Sequence, residues 1–492
     1  MKIYTVWVSV MVLQHCSAWT IKRHPRPSRR QFQQLFLSTK SQNINGRSEN
    51  FPYQSVMAPM VAASDFPFRC LCRQHGVDLA FTQMLHSRNL VHDKKFRQTH
   101  LDLWEYSDFS KKPLLPQQSQ FLEGSNPAID SLPIDFCKGP LIVQLAGHKV
   151  ESVLEAAALV MEESQGQMTG IDLNLGCPQK IASKGNYGAF LMESDFDCVC
   201  DILTALSGWM QQQYPKTKVS AKIRLPLTDD MLVKERIPRL LATGISFLTI
   251  HGRTLYENKT KVRECHVDRI KLAIETAQKI KSDFPVVANG GVEAFSDVRL
   301  VQQETGAVAV MSSEALLETP NVFSPLYESE RQTARQRLNQ QFGFAHDYLD
   351  WCSVFPPLPG VLGGQGSFNI ARGHLFKFLH RYLQEHPDLR DNLGSPKLST
   401  LVDARSLVNE LQARYDPLSD EELEECTSAR PSSSWYRRHR QSLENGLVHT
   451  RQVGGATSNG TEEDISTMSI EEKKAMLRKR ISKLKEQRLM KN

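Results

Sequence analysis

No Cys-x₂-Cys pair occurs in this chain, although it holds ten cysteines over 492 residues. That absence argues against a zinc site, and the scattered spacing argues against a disulfide framework. Cys70 with Cys72 and Cys198 with Cys200 form Cys-x-Cys pairs in helix-like stretches. Reduced, mostly buried thiols and no metal are therefore expected. No Gly-x-Gly-x-x-Gly follows the first strand-like run, which weakens a dinucleotide-binding doubly wound sheet. The apolar run "IYTVWVSVMVL" has signal-peptide length and is too short to span a bilayer comfortably, so no membrane partner is expected. Charge of one sign does not dominate. A net charge of +6 permits a polyanionic partner without requiring one.

Acidic residues are missing before Glu49, whereas Lys2, Lys22, Arg23, Arg26, Arg29, Arg30, Lys40 and Arg47 are basic. Ser17-Ala18 offers a small-residue cleavage site, and an Arg/Ser-rich tract follows Trp19. That composition is transit-peptide-like. Residues 1–50 read as a targeting segment with an organellar destination. A plastid is favoured, and a mitochondrial presequence or a mis-annotated start in a cytoplasmic protein are the alternatives.

From residue 55 a regular alternation begins. Strand-like runs fall at 55–60, 79–85, 141–147, 170–178, 218–225, 246–253, 285–291 and 307–316. Helix-like patterns separate most of them, and a polar insertion of unknown role covers 101–136. Continuous apolar strands have both faces buried, as in a parallel sheet. Eight such runs favour an α/β fold of the (β/α)₈ TIM-barrel type over residues 51–322. Residues 323–415 read as a helical domain, 416–468 as a flexible linker, and 469–492 as a basic C-terminal helix opened by a Ser469/Glu472 capping box. "RGHLFKFLHRYLQEH" (372–386) places Leu375, Phe378, Leu379 and Leu383 on one face. "SARPSSSWYRRHRQS" (428–442) interleaves aromatics with arginines, which suits RNA contacts and equally suits a linker.

Gln144, Asn174, Cys177, Lys222, Arg224, His251, Arg253 and Asn289 lie at or near the C-terminal ends of their strands. In a barrel those ends converge on the catalytic face. One such residue has a bland structural explanation, but eight over five strands and their loops point to a site. "ANGG" (288–291) and "MSSE" (311–314) follow strands seven and eight, the usual barrel phosphate corner. With Lys222 they suggest a phosphorylated cofactor. FMN fits, with "MAPM" as an apolar floor and the lysine stabilising a reduced, anionic ring.

"APM", "DLNLGCPQKIASKGNYGAFL", "KIRL", "IHGRT" and "ANGG", in this order, resemble the tRNA-dihydrouridine synthases. The resemblance covers residues 55 to about 320 and continues more weakly through "HDYLDWCSVFPP" and "ARGHLFKFLH". "NLGCPQ" and "VMSSEALL" look most like the eukaryotic branch acting on D-loop uridines 16 and 17. The resemblance implies that NADPH or NADH reduces FMN and that the flavin passes hydride to C6 of a uracil. Cys177 matches the acid that protonates C5. Ala58, Pro59, Met60, Gln144, Lys222, His251, Asn289, Gly290, Gly291, Ser312, Ser313 and Glu314 match cofactor positions. Asn174, Lys184 and Arg224 match groups near the base. tRNA is the implied partner, held by a monomer, and the glycines of "KGNYGA" are expected to let that loop order around RNA. Two stretches depart from the family pattern. "LYENKTKVRECH" follows strand six without the usual glycine-containing stretch, and Ser-Ser-Glu stands where many relatives carry Gly-Arg. Another FMN barrel of the dihydroorotate dehydrogenase type, or a silent tRNA-binding paralogue, remain the alternative readings.

Overall fold

The computed structural model describes residues 51–107, 113–129, 132–258, 262, 264–325, 332–360, 366–427 and 434–437. The targeting segment, most of the 428–442 stretch and the basic C-terminal helix lie outside the described residues. Eight strands form a closed parallel barrel in chain order: β1 (Ser55–Met57), β2 (Leu79–His86), β3 (Leu141–Ala146), β4 (Gly170–Leu175), β5 (Lys218–Leu225), β6 (Phe247–Thr254), β7 (Val286–Asn289) and β8 (Ala309–Ser312). β8 pairs with β1, with Val56 opposite Met311. The (β/α)₈ expectation is met. Every residue of β3 and β4 is buried, and apart from Gln144, Asp172 and Asn174 these strands are apolar, as expected where both faces are covered.

Alternation inside the barrel divides its contents. Phe51, Leu79, Phe81, Ile142, Phe247 and Val287 form an apolar plug. Gln144, Asp172, Asn174, Ser220, Lys222, Thr249, His251 and Asn289 occupy the interior positions of β3 to β7. A strand's side chains alternate between two faces, so these residues recur at every second position.

The 101–136 insertion is more than a polar excursion. Leu101, Leu103, Trp104, Glu105 and Phe121 are buried. Glu105 takes a bidentate ion pair from Arg69, with Nε and Nη2 both at 2.7 Å, and a third bond from Arg73 at 2.9 Å. Phe355 packs edge to face against both Phe66 and Trp104. Gln118 Nε2 donates to the Pro356 carbonyl at 2.7 Å. The insertion thus joins the first barrel helix, Phe66–Gln74, to the C-terminal helices.

Those helices include Ala334–Val354, Gly366–Phe378, Leu401–Ala413 and Asp420–Thr427. Leu375, Phe378, Leu379 and Leu383 are all buried, as their spacing predicts, although the expected single helix breaks at Leu379. Asp65, at the foot of the first barrel helix, accepts from Tyr348 Oη at 3.0 Å and lies 2.6 Å from His374 Nε2. One hydrophobic cluster runs through the barrel helices and the helical region. The expected linker differs at its start, where 420–427 is helical. Trp435, Tyr436 and Arg437 are engaged within the chain, since Arg437 Nε donates to Glu293 at 2.6 Å and Lys377 sits over the Trp435 ring. The eight described cysteines are free thiols, and five of them are buried. Among the described residues, no helix is long and apolar enough to cross a membrane.

Candidate active site

β4 supplies the centre of the site. Asp172 and Asn174 both point into the barrel, two residues apart. Asp172 is fully buried and accepts from Ser220 Oγ at 2.7 Å and from Gln144 Nε2 at 2.7 Å. Gln144 Oε1 in turn accepts from Asn174 Nδ2 at 2.6 Å. Asn174 Oδ1 then accepts the backbone N–H groups of Gly176, at 3.3 Å, and Cys177, at 3.0 Å. A polar chain therefore runs from the barrel centre to the loop that carries the thiol.

Lys222 and Arg224 stand on β5 beside this chain. Lys222 Nζ donates to Asn289 Oδ1 at 2.8 Å, and Asn289 Nδ2 donates to the Met311 carbonyl at 2.9 Å. Burial pushes the Lys222 ammonium down to about 7; Arg224 adds to that, and Asp172 opposes it. Burial likewise pushes Asp172 up to about 6, against the hydrogen bonds from Gln144 and Ser220 and the charge of Lys222. A lysine with a folded pKa below the ordinary 10.5 costs stability wherever the unfolded chain would hold the proton more tightly. That cost is full below about pH 7 and fades as pH rises toward 10.5. Lys222→Met should therefore raise the melting temperature of the flavin-free protein by roughly 2–4 °C or more near pH 7, the shift expected for about 1 kcal/mol in a large domain. The gap should narrow by pH 10. Thermal unfolding across that pH range checks both points.

Arg224 was expected near the base. Its guanidinium is committed to carbonyls, Nε to Gly176 at 2.9 Å and Nη1 to Thr254 at 2.9 Å. It ties the Cys177 loop to the loop after β6. That second loop is built on Glu257, which accepts from Thr254 N at 2.8 Å and from Thr254 Oγ1 at 2.9 Å and faces His266 Nε2 at 2.9 Å. Burial alone would raise the Glu257 carboxyl, but these bonds hold it down at about 2. His251 receives Arg253 Nη1 on Nε2 at 3.2 Å. A guanidinium only donates, so Nε2 is the acceptor and Nδ1 carries the proton.

Cys177 follows β4 and is half-buried. Burial pushes its thiol up, more strongly than the Gln179 backbone and Arg224 pull it down. The thiol is therefore protonated at neutral pH. The "KGNYGA" glycines also serve packing within the protein. Residues Lys180–Gly185 form a short helix that ends in left-handed Asn186, and Gly188 packs against Cys177. At Gly188, φ is +67°, and an added Cβ would lie 2.9 Å from the Cys177 carbonyl oxygen and 3.0 Å from its Cβ. The close approach is within the protein. Gly188→Ala should displace Cys177 and destabilise the fold by about 1–3 kcal/mol, the usual cost of such backbone strain. Chemical denaturation measures the loss.

At the opposite rim, Ala58 N donates to the Ser312 carbonyl at 2.9 Å, which sets the turn Ala58–Pro59–Met60 beside β8. Gly290 and Gly291 have φ of +110° and +76°, and a Cβ on Gly290 would meet His251 at 2.8 Å. Ser312 Oγ donates to the Val292 carbonyl at 3.2 Å. Ser313 precedes the short helix Glu314–Glu318. Lys184 is exposed on the Lys180–Gly185 helix, away from the buried polar chain. Asp172, Ser220 and Glu257 are the site residues that the sequence reading missed. The period-two pairing of Asp172 with Asn174, and of Ser220 with Lys222, was the available signal for the first two.

The family model described as dihydrouridine synthase matches residues 56–351. A mouse (Mus musculus) protein named tRNA-dihydrouridine(16/17) synthase [NAD(P)(+)]-like is 31% identical over 381 residues, 77% of this chain. The match spans 66% of that relative's length, just under two thirds. A Saccharomyces cerevisiae protein named tRNA-dihydrouridine(16/17) synthase [NAD(P)(+)] is 30% identical over 69% of this chain and 68% of its own length. A mouse protein named tRNA-dihydrouridine(20a/20b) synthase [NAD(P)+]-like is 31% identical over 56% of this chain and 70% of its own length. Motif order, barrel and matched span agree, and the chain belongs to the dihydrouridine synthase family.

Proposed function

We propose that this chain is a tRNA-dihydrouridine synthase that reduces the C5=C6 bond of a D-loop uridine at position 16 or 17, with FMN as cofactor and NADPH or NADH as reductant. The observation that carries the reading is the placement of the Cys177 thiol just after β4 and the buried Lys222 amine on the neighbouring β5, where Lys222 stands in register with Asn174. Over matches of comparable length, relatives named for positions 16 and 17 are 30–31% identical to this chain and a 20a/20b relative is 25% identical, which favours positions 16 and 17.

The residues at the mouth fit a flavin. Lys222 makes one hydrogen bond, to Asn289, with a charged group that can make three. Thr249 Oγ1 is buried without a hydrogen-bond partner. Gly290 leaves the space beside His251 that a side chain would fill. Gln144, Lys222, His251 and Asn289 would hold the ring, Ala58–Met60 would floor it, and Gly290, Gly291 and Ser312–Glu314 would meet its phosphate end. When bound, the flavin supplies the hydride for C6 of the uracil. Lys222 offsets the negative charge that a reduced ring carries. Cys177 presents its proton from the loop above Asn174 to C5. Arg224 keeps that loop fixed against the loop after β6.

A uracil inside folded tRNA is out of reach, so the base must leave its stack to enter the mouth. The tRNA body is held mainly through phosphates and shape, with Lys184 among the contacts. The protein acts as a monomer, and residues 1–50 address it to an organelle, a plastid in preference to a mitochondrion. Purified protein should carry FMN and oxidise NADPH in response to unmodified tRNA. Turnover of free orotate without tRNA would sink this reading in favour of a dihydroorotate-type enzyme.

A further inference from the structure

Asp172 stands in register with Gln144 and one inward-facing position below Asn174, and no role above depends on it. Its surroundings set a strict order of donors and acceptors. At one end of the polar chain an ionised carboxylate can only accept. At the other end the backbone N–H of Cys177 can only donate. Between them lie two amides, Gln144 and Asn174, each of which could be turned either way. With Gln144 Nε2 on Asp172 at 2.7 Å, Gln144 must show its oxygen to Asn174. Asn174 must then give Nδ2 to Gln144, at 2.6 Å, and its oxygen to Cys177 N–H, at 3.0 Å. Ser220 Oγ holds the other carboxylate oxygen at 2.7 Å.

We infer that Asp172 is a positioning residue that fixes the amide orientations of Gln144 and Asn174 and, through them, the backbone of the Cys177 loop. If the order were reversed, Asn174 would turn its NH₂ on the Cys177 N–H and the loop would lose its anchor. The same chain links the cofactor floor to the acid, so the thiol is held at a fixed height above the ring site. A buried carboxylate is a costly way to place two amides. Its two oxygens both accept, one from Gln144 and one from Ser220, so the atom that faces Gln144 is an acceptor.

The catalytic meaning of this role rests on the reading of Cys177 as proton donor, but the test reads the loop without tRNA. Amide hydrogen exchange at Gly176–Cys177 is measured in the flavin-loaded protein for wild type, Asp172→Leu, Asp172→Asn and Gln144→Met, with Val287 and Ala288 of β7 as internal reference. Asp172→Leu and Gln144→Met remove a link and should speed exchange at Cys177 by about tenfold, the worth of one such bond. Asp172→Asn can still accept from Gln144 while giving its NH₂ to Ser220 Oγ, so it should stay within about threefold of wild type. In turnover with tRNA, Gln144→Met and Asp172→Leu should lower kcat and leave KM for tRNA unchanged. Unchanged Cys177 exchange in Gln144→Met overturns the inference, even if Asp172→Leu fails to fold. Equal loss in Asp172→Asn and Asp172→Leu also overturns it, because charge rather than orientation would then be what matters. Absence of tRNA turnover in wild type would count against the proposed activity alone.

Discussion

Cys177→Ala should slow uridine reduction by about 100- to 10,000-fold, the usual worth of a positioned general acid. Oxidation of NADPH should persist, because the thiol is not needed for cofactor reduction. The loop that carries Cys177 is held from three sides, by Asn174 Oδ1, by Arg224 Nε on the Gly176 carbonyl, and by Gly188 beneath. Alanine disturbs none of these, so protein stability should hardly move. The pH dependence has a definite sign. Burial raises the Cys177 pKa, so the acid form is present throughout the neutral range. Activity should be lost on the alkaline side only, as the thiol deprotonates. Single-turnover reduction of tRNA by pre-reduced enzyme, measured against pH, isolates this step. A Cys177→Ala protein within threefold of wild type would remove the thiol from the chemistry.

Glu105→Ala should destabilise the fold by about 3–5 kcal/mol, the cost of leaving buried charge without its partner. The carboxylate is buried and neutralises Arg69 and Arg73 together. Burial alone would raise its pKa, but the two guanidinium groups outweigh that and hold it below the ordinary range. A depressed carboxyl contributes stability that is complete above its unfolded pKa of about 4.3. It is lost as pH falls through the lower folded value. Wild type should therefore lose stability toward acid more steeply than Glu105→Ala does. Chemical denaturation at neutral and acid pH measures both effects. A loss below 1 kcal/mol would reduce this group to the worth of a surface ion pair.

The barrel was legible because its signals are local. Apolar runs such as "LIVQLA" and the helical stretch 150–163 carry their own period, and the structure returns them within a residue or so. Gln144, Asn174, Lys222, His251 and Asn289 were legible as strand-end polar residues, and the closed barrel brings them to one mouth. Asp172 was hidden in a strand read as continuous apolar sequence, although Asp172 and Asn174 share its inward face. Glu105 was hidden for a different reason. Its partners Arg69 and Arg73 touch it at 2.7 and 2.9 Å but lie 36 and 32 residues earlier in the chain, and nothing local to "DLWEYS" announces them. Gly188 is legible as a loop glycine, but its packing against Cys177 is not. The requirement comes from Cys177, eleven positions earlier in the loop and in contact only after folding.

The central claim concerns one base in one loop of tRNA. Unmodified tRNA is incubated with the full chain and NADPH, and dihydrouridine is mapped at nucleotide resolution. Product at uridines 16 or 17 is the predicted result. Product confined to other positions, or none despite bound flavin and NADPH oxidation, would contradict it.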